Sequence, residues 1–415
     1  MKKLLYAVIS LAAFAGTMVS CSDNDDTTTY YNLSVSLEMP EGVSVADFTS
    51  ASVVVINSQT GREYSNSEIK SDYSFSLPGG TYNVTASLRV NDGGAVVSYS
   101  ASKLVPVYED SPVTLELVKS VSGGLIFKEV YYNMVKPNGK IPYMRDQFFE
   151  IYNNSDEVLY LDNCILGFLE GSQGKLPTSW MENGEIMKEY ALGYYTVAFV
   201  SQTGKDYPLE PGKSVVIAGQ AQNHIAETEK MYEPNDGAMM SPVNLFNADY
   251  EVFLGDYKPA VSVDNASVPN LTVICAQGTQ NYFSLPMTGN AIIFAKLPDG
   301  VSPVDYAKND ANFKERPDGS YAGQKYLMIP QEYVLDGLNI VNNADKPDQR
   351  VIRLRSEIDA GIVYMEKPYA GKSIRRKVES ITETGRVIFK DTNNSTEDFL
   401  RDQTPTPGII PAVVD

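Results

Sequence analysis

Histidine is almost absent from this sequence: His224 is the only one. Metal centres and hydrolytic triads usually depend on imidazole, as a ligand or as a general base. His224 lies in NHIAETEK, three residues before Glu227, and one imidazole with one acid is a weak ligand set. No Gly-x-Ser-x-Gly element marks a nucleophilic serine. We therefore expect no metal site and no serine hydrolase, and expect His224 to lie on the surface of a helix.

Long apolar runs are also missing. The longest near the start, LLYAVISLAAFA, is shorter than the about 20 residues that a membrane-spanning helix needs. It follows two lysines and precedes small residues, which is the pattern of a secretory signal peptide over residues 1–20. Met18-Val19-Ser20 resembles a bacterial lipobox, and this resemblance implies cleavage and lipid attachment at Cys21.

The residues after this cysteine are acidic. They resemble the surface-export signal of Bacteroidetes lipoproteins, with these members: Ser22, Asp23, Asn24, Asp25 and Asp26. The resemblance implies an outer-membrane lipoprotein that faces the cell exterior, with residues 21–31 as a tether. The alternative is an ordinary solvated linker.

Basic residues are few: 34 Lys and Arg stand against 52 Asp and Glu, for a net charge of −18. A field of this sign repels phosphate backbones, which excludes nucleic acid as the expected partner. Two cysteines remain after Cys21. Cys164 and Cys275 each lie in an apolar, strand-like segment, so buried free thiols are expected, with a disulfide as the alternative.

The sequence does have a regular alternation of apolar and polar residues. Leu33, Val35, Leu37 and Met39 recur with period two, as do alternate residues of YNVTASLRV, and Pro-Gly-Gly and Asn-Asp-Gly-Gly turns separate the runs. This pattern predicts a β-sandwich of immunoglobulin-like size over residues 32–118. The segment YSFSLPGGTYNVTA resembles carboxypeptidase-regulatory or prealbumin-like modules, which implies a spacer.

A second strand-rich region begins after VKSVSGG and covers residues 124–415. Ten segments have strand character, QRVIRLR among them, and the best helical stretch is the short one from Gln220 to Tyr232. LIFKEVYYN, DQFFEIYNNSDEVLYLDN and YPLEPGKSVVIAG together resemble the lamin-tail domain, on these residues: Glu129, Glu150, Asn153, Leu161 and Pro211-Gly212. The resemblance extends to Gly408 and implies an all-β sandwich with long loop insertions. The whole chain also resembles an uncharacterised family of Bacteroidetes surface lipoproteins, known only as a domain of unknown function.

Glu150 is a carboxylate inside an aromatic run. Alternation in FFEIY places Phe149 and Ile151 on one face, and Phe148, Glu150 and Tyr152 on the other. Such an acid is stable when a turn or a basic residue hydrogen-bonds it, so we predict a structural role for Glu150 over a catalytic one. The basic groups that stand out are Arg350, Arg353, Arg355 and Arg375-Arg376-Lys377. They are expected to be mainly ion partners of the acids, although Arg353 and Arg355 on one strand face would also suit an anion.

Three further site types have candidate residues in the sequence. The runs DTNNSTED and NDANFKERPDG carry oxygen ligands suited to Ca²⁺, but they lack EF-hand spacing, so solvated turns are expected. Two Gly-Lys-Ser triplets lack the earlier glycine of a phosphate loop. Fifty-two acids leave glycan hydrolysis by a carboxylate pair open as the alternative function.

The expected function is noncatalytic binding, adhesion or nutrient uptake at the cell surface, with no cofactor. Loops are the usual carriers of function on a rigid sandwich. Two long insertions, Leu169 to Tyr195 and Gln220 to Leu245, carry the candidate binding residues: Trp180, Tyr194, Tyr195, Tyr232, Met239 and Met240. These side chains form adaptable contact surfaces, or else pack the insertions onto the sandwich. A protein, a glycan or an outer-membrane transporter is the expected partner.

Overall fold

The computed structural model describes residues 28–92, 95–119, 124–171, 178–286, 290–341 and 352–415. The predicted signal peptide, Cys21, the acidic signal from Ser22 to Asp26, and Arg350 lie outside these residues. The described chain is almost entirely β-structure, so the predicted all-β fold class is confirmed.

The first eight strands form two sheets. Their bounds are β1 (Tyr30–Glu38), β2 (Phe48–Asn57), β3 (Glu63–Asn66), β4 (Asp72–Pro78), β5 (Gly80–Asp92), β6 (Ala95–Val107), β7 (Ser111–Glu116) and β8 (Val118–Lys119). One sheet has the order β4-β1-β7 and the other β3-β2-β5-β6-β8. Leu33, Val35 and Leu37 are buried between the sheets with Val84 and Leu88, as the alternation predicted.

The following strands form the larger part of the chain. Those up to the long insertions are β9 (Leu125–Tyr131), β10 (Phe148–Asn153), β11 (Leu159–Tyr160), β12 (Cys164–Leu169), β13 (Met181–Glu182), β14 (Glu185–Ile186), β15 (Glu189–Ala198), β16 (Pro208–Leu209), β17 (Ser214–Ala218) and β18 (Tyr250–Glu251). Those that follow are β19 (Thr272–Ala276), β20 (Asn290–Lys296), β21 (Phe313–Glu315), β22 (Lys325–Pro330), β23 (Val334–Val341), β24 (Val363–Tyr364), β25 (Ser373–Arg376), β26 (Val378–Ile381), β27 (Val387–Phe389) and β28 (Phe399–Gln403).

Helices in the described residues are short. They are α1 (His224–Glu229), α2 (Pro303–Lys308), α3 (Ser356–Asp359) and α4 (Ser395–Asp398), with 3-10 turns at Val45–Asp47, Asp310–Asn312 and Gln331–Tyr333. Helix α1 lies inside the predicted helical stretch from Gln220 to Tyr232 and is shorter than it. Asn223 caps α1, because its side chain accepts from the amide of Ala226.

Two sheets enclose the main core of this larger part. One has the order β18-β17-β10-β9-β25-β28, and the other runs β21-β22-β15-β12-β20-β23-β24, with β19 also paired to β15. Phe149 and Ile151 lie in this core, whereas Phe148 and Tyr152 pack into two separate clusters on the opposite face. The predicted alternation of FFEIY is therefore confirmed.

The first sandwich contacts the second directly. Thr85 Oγ1 donates to the carbonyl of Ala360 at 3.1 Å, and Ser100 Oγ donates to the carbonyl of Ser356 at 3.0 Å. Arg89 forms an ion pair with Glu379. These contacts attach strands β5 and β6 to the segment around helix α3 and to strand β26.

The prediction of a strand over QRVIRLR is wrong for residues 352–355, the part of this segment that the structure describes. Residues 352–355 of QRVIRLR form an irregular segment that leads into α3, so Arg353 and Arg355 do not share a strand face. Asn339 prevents continuation of the strand, because its side-chain oxygen accepts from the amides of Arg353 and Leu354.

Candidate functional site

Glu150 is completely buried and hydrogen-bonded by three groups. Its carboxylate accepts from Lys128 Nζ at 2.7 Å, from Ser214 Oγ at 2.6 Å and from the amide of Gly408 at 3.2 Å. A basic partner and a nearby turn are the partners that the sequence interpretation required. The contacts of Glu150 are those of a structural acid.

A β-bulge brings Lys128 to this carboxylate. Glu150 pairs with Glu129, whereas the next residue, Ile151, pairs with Phe127, so Lys128 is the extra residue in β9. Because the bulge breaks the alternation, Lys128 and Glu129 lie on the same face of the sheet. Lys128 Nζ is also 3.9 Å from Glu129 Oε2, so one cation serves two acids.

Glu129 and Glu150 are the neighbouring acids that a glycosidase interpretation would select. Both are fully buried, and Glu129 accepts from Ser373 Oγ and from the amide and hydroxyl of Thr406. Burial raises the pKa of Glu129, and Lys128 opposes that increase. A sugar ring has no access to this pair, because the C-terminal segment covers it.

Arg376 joins three acids in a second buried cluster. Its guanidinium lies 2.6 Å from Asp336, 3.0 Å from Asp391 and 3.6 Å from Asp398, and it donates to the carbonyl of Phe127. Burial lowers the pKa of Arg376, but the surrounding carboxylates together outweigh burial and raise it above its ordinary value. Arg376 is thus an ion partner of acids, as expected, and this cluster fixes β25 to β23 and to the segment from Asp391 to Asp398.

The DTNNSTED run is buried, so the expectation of a solvated turn is wrong for it. Asp398 accepts from the amide and hydroxyl of Thr392, and Asp359 accepts from the amide and hydroxyl of Ser395. Burial raises the pKa of Asp359 to about 7. Backbone donors occupy these carboxylates in place of water. In the described residues no cluster of three His, Cys, Asp or Glu side chains is arranged for a metal ion.

His224 is buried, and the expectation of a surface residue is wrong. Its Nδ1 lies 2.8 Å from the hydroxyl of Tyr143, and its Nε2 lies 2.9 Å from the carbonyl of Gln220. Since the carbonyl only accepts, Nε2 carries the proton and Nδ1 accepts from Tyr143. Burial lowers the pKa of His224 to about 4, so the ring is neutral near pH 7. His224 anchors helix α1 to the sandwich.

Three of the predicted binding residues lie in the Leu169 to Tyr195 insertion and strand β15. Trp180 is 5% exposed, donates from Nε1 to Glu170 at 2.8 Å, and packs edge-on against Tyr326. Tyr195 is buried in the main core, and Tyr194 is half-buried against it. For Trp180 and Tyr195 the packing alternative describes the structure.

The other three are exposed. Tyr232, Met239 and Met240 are 43%, 42% and 41% exposed on the connection between β17 and β18, which we call the 219–249 insertion. Three further apolar residues of this insertion are similarly exposed and were not predicted: Ile225, Met231 and Phe246. Together these six residues are the insertion surface. The sequence signal that could have identified Met231 as a binding residue is its position next to Tyr232, which was predicted.

The insertion is held firmly below this surface. The amide of Met239 donates to the carbonyl of Lys136 at 3.1 Å, and the amide of Glu233 donates to the carbonyl of Pro137 at 3.3 Å. Val243 and Leu245 pack against Tyr131 and Phe148 on the outer face of the sheet. The exposed side chains therefore stand on a fixed backbone.

Cys164 and Cys275 are both free thiols. Burial raises the pKa of Cys164 to about 12 and that of Cys275 to about 11, so neither is a reactive thiolate near neutral pH. Among the described residues, no helix has the length and apolar character to cross a membrane.

Comparison with known proteins gives a family match without an activity. Residues 210–406 match the model of a family described as a protein of unknown function, DUF4876. The chain is also similar to the crystal structure of a DUF4876 family protein from Bacteroides thetaiotaomicron, at 26% sequence identity and a TM-score of 0.59. The similarity covers 93% of this chain and 98% of that chain. No curated protein matches this chain.

Proposed function

We propose that this protein is a lipid-anchored cell-surface protein that binds a partner without catalysis, in adhesion or as an accessory of nutrient uptake. Two proposals on architecture accompany it: residues 32–118 are a prealbumin-like spacer, and residues 124–415 are an expanded lamin-tail-like binding domain. The sequence supports the anchor, through the signal-like start, Cys21 and the acidic residues from Ser22 to Asp26.

One structural observation supports the binding role. Tyr232, Met239 and Met240 are each exposed by more than 40% on an insertion whose backbone is fixed. Methionine and tyrosine adapt to many surfaces, and the exposure of several large apolar side chains on one insertion favours an interaction site. A preformed backbone also lowers the entropy cost of binding.

The partner is a protein, a glycan or an outer-membrane transporter, the last by analogy with other surface lipoproteins. Glu229, Glu233 and Asp236 are exposed on the same insertion, which favours partners with basic groups.

The binding proposal is tested with the pair of changes Met239→Ser and Met240→Ser in the detergent-solubilised full chain. Binding to a glycan array and to immobilised outer-membrane proteins is compared with the wild type. Loss of two apolar contacts is expected to weaken binding by about tenfold or more. The matched control is Leu104→Ser, which changes a 55% exposed residue of the first sandwich. Equal binding by both variants would contradict the role of the insertion surface.

The anchor is tested separately by labelling cells with a radioactive fatty acid. Cys21→Ala is expected to abolish the label. Replacement of Asp23, Asp25 and Asp26 by Asn is expected to leave the label intact but to remove accessibility to protease on intact cells. Labelling of the Cys21→Ala protein would refute the anchor.

Glycan hydrolysis by paired acids is the competing function. If the purified chain cleaves a polysaccharide, and a single acid substitution that preserves the fold abolishes cleavage, the noncatalytic proposal fails.

A further inference from the structure

A surface cleft of 460 Å³ lies where three turns of the larger sandwich meet. The turns are the one after β10, the Pro211-Gly212 corner before β17, and the hairpin turn between β26 and β27. The lining residues are Asp156, Pro211, Gly212, Lys213, Thr384, Gly385 and Arg386. None of them belongs to the insertion surface or to the buried ionic clusters.

Arg386 is held in one orientation at this cleft. Its Nη1 donates to the carbonyl of Asn154 at 3.1 Å and to the carbonyl of Ser155 at 2.8 Å. These two bonds use Nη1, one corner of the planar guanidinium. They leave the edge formed by Nε and Nη2 for a ligand. That edge presents two parallel N–H groups, which match the two oxygens of a carboxylate or sulfate.

Lys213 supplies a second cation. Its backbone is fixed, because its amide donates to the carbonyl of Glu210 and its carbonyl accepts from Asn153. Its side chain is exposed and belongs to no ion pair among the described residues, although the sequence contains 52 acids. In a protein with a net charge of −18, a fixed arginine edge and an unpaired lysine lining one cleft form a local positive site.

The remaining polar residues that line the cleft can hydrogen-bond the hydroxyl groups of a ligand. Asp156 and Thr384 are exposed and accept hydrogen bonds from alcohol groups. Gly385 has a φ of 82°, and a Cβ there would meet nothing within 4 Å, so this turn leaves the mouth of the cleft open. A bare anion gains nothing from Asp156, whereas a ligand with both an anionic group and hydroxyls uses the whole lining.

We infer that this cleft binds an anionic sugar unit, with its carboxylate or sulfate on Arg386 and Lys213 and its ring hydroxyls toward Asp156 and Thr384. The inference stands apart from the proposed function, because it uses a different surface.

The test is isothermal titration of the full chain with trigalacturonate, a carboxylate-bearing sugar, and with neutral galactotriose and inorganic sulfate. Trigalacturonate is expected to bind most tightly, with an affinity that falls as NaCl rises. Lys213→Gln is expected to weaken binding by about fivefold, and Arg386→Gln by about tenfold or more. Asp156→Asn is expected to strengthen binding by about twofold to threefold, since it removes a repelling charge but keeps a hydrogen-bonding group.

The matched control is Lys205→Gln, which removes an exposed lysine that does not line the cleft. Arg386→Gln also removes two turn contacts, so Lys213→Gln, which removes none, decides the outcome if the arginine variant misfolds. The inference is overturned by no binding of trigalacturonate, by equal binding of galactotriose or sulfate, or by equal losses in the Lys213 and Lys205 variants. Because Met239→Ser and Met240→Ser leave this cleft unchanged, failure here is separate from failure at the insertion surface.

Discussion

The buried cation Lys128 gives the sharpest test of how the larger sandwich is held together. Lys128→Met removes the ammonium that lies 2.7 Å from Glu150 and 3.9 Å from Glu129, and it keeps a flexible chain of similar length. All three side chains are completely buried, so no water replaces the lost partner. Two carboxylates are then left in a site with no cation.

Removal of one partner from a buried ion pair typically costs about 3–5 kcal/mol, because the other charge stays buried. Each kcal/mol lowers the Tm by about 2 °C for a folding unit as large as residues 124–415. We therefore expect a Tm about 6–10 °C lower for Lys128→Met. Adding Glu150→Gln is expected to recover part of the loss, since that carboxylate is then neutral.

The free energy of unfolding that Lys128→Met loses is expected to grow as pH rises. Burial already raises the pKa of Glu129 above its unfolded value of 4.5, and removal of Lys128 raises it further. Between the unfolded and the folded pKa the native state binds more protons, so stability falls as pH rises through that window. The deficit of the variant is therefore small near pH 4.5 and largest above the folded pKa of Glu129.

The measurement is urea unfolding at several pH values, followed by the fluorescence of Trp180, which reports on the larger sandwich. The control is Lys230→Met, which breaks an exposed pair with Glu227 in the larger sandwich and is expected to cost about 0–1 kcal/mol. A loss below about 1 kcal/mol for Lys128→Met, or a loss independent of pH, would refute the reasoning.

Two further predictions concern single residues that serve as probes. The ring protons of His224 in an untagged chain are expected to show no NMR titration between pH 5 and 8, because burial lowers the pKa of His224 to about 4; a midpoint near 6.5 would contradict its burial against Tyr143. Trp180→Phe removes the indole hydrogen bond to Glu170 and is expected to cost about 1.5–3 kcal/mol by urea unfolding followed by circular dichroism. The wild-type emission of Trp180 is expected at short wavelength with weak acrylamide quenching, and a water-like emission would place the indole at the surface.

Sequence alternation predicted much of the fold but missed the partner of Glu150. A carboxylate on an aromatic strand face required a hydrogen-bonding partner, so its structural role followed from the residues alone. Strict alternation, however, places Lys128 on the face opposite Glu129. The bulge between Glu150 and Ile151 reverses that placement, and it depends on the pairing of two strands that no local pattern reveals.

Burial of polar residues was the main source of error. His224 next to Ile225 was expected to be exposed, yet the histidine is buried and Ile225 is 42% exposed. The hydroxyl of Tyr143 and the carbonyl of Gln220 compensate the cost of removing the imidazole from water. The DTNNSTED run is buried for the same reason, since Arg376 satisfies Asp391, and the amide and hydroxyl of Thr392 satisfy Asp398. The signal peptide, lipidation at Cys21 and the resemblances to lamin-tail and prealbumin-like modules stay predictions.

The sequence by itself determined where most of the strands and turns lie, because a period of two and Gly or Pro corners act within a few residues. The tertiary structure alone decided which polar groups are buried and which apolar loop residues are exposed. Trp180 and Met239 both lie in long insertions, and only the neighbours that the fold brings to each of them bury the first and expose the second. Whether a side chain is buried or exposed depends on contacts between distant segments, and the local sequence does not show those contacts.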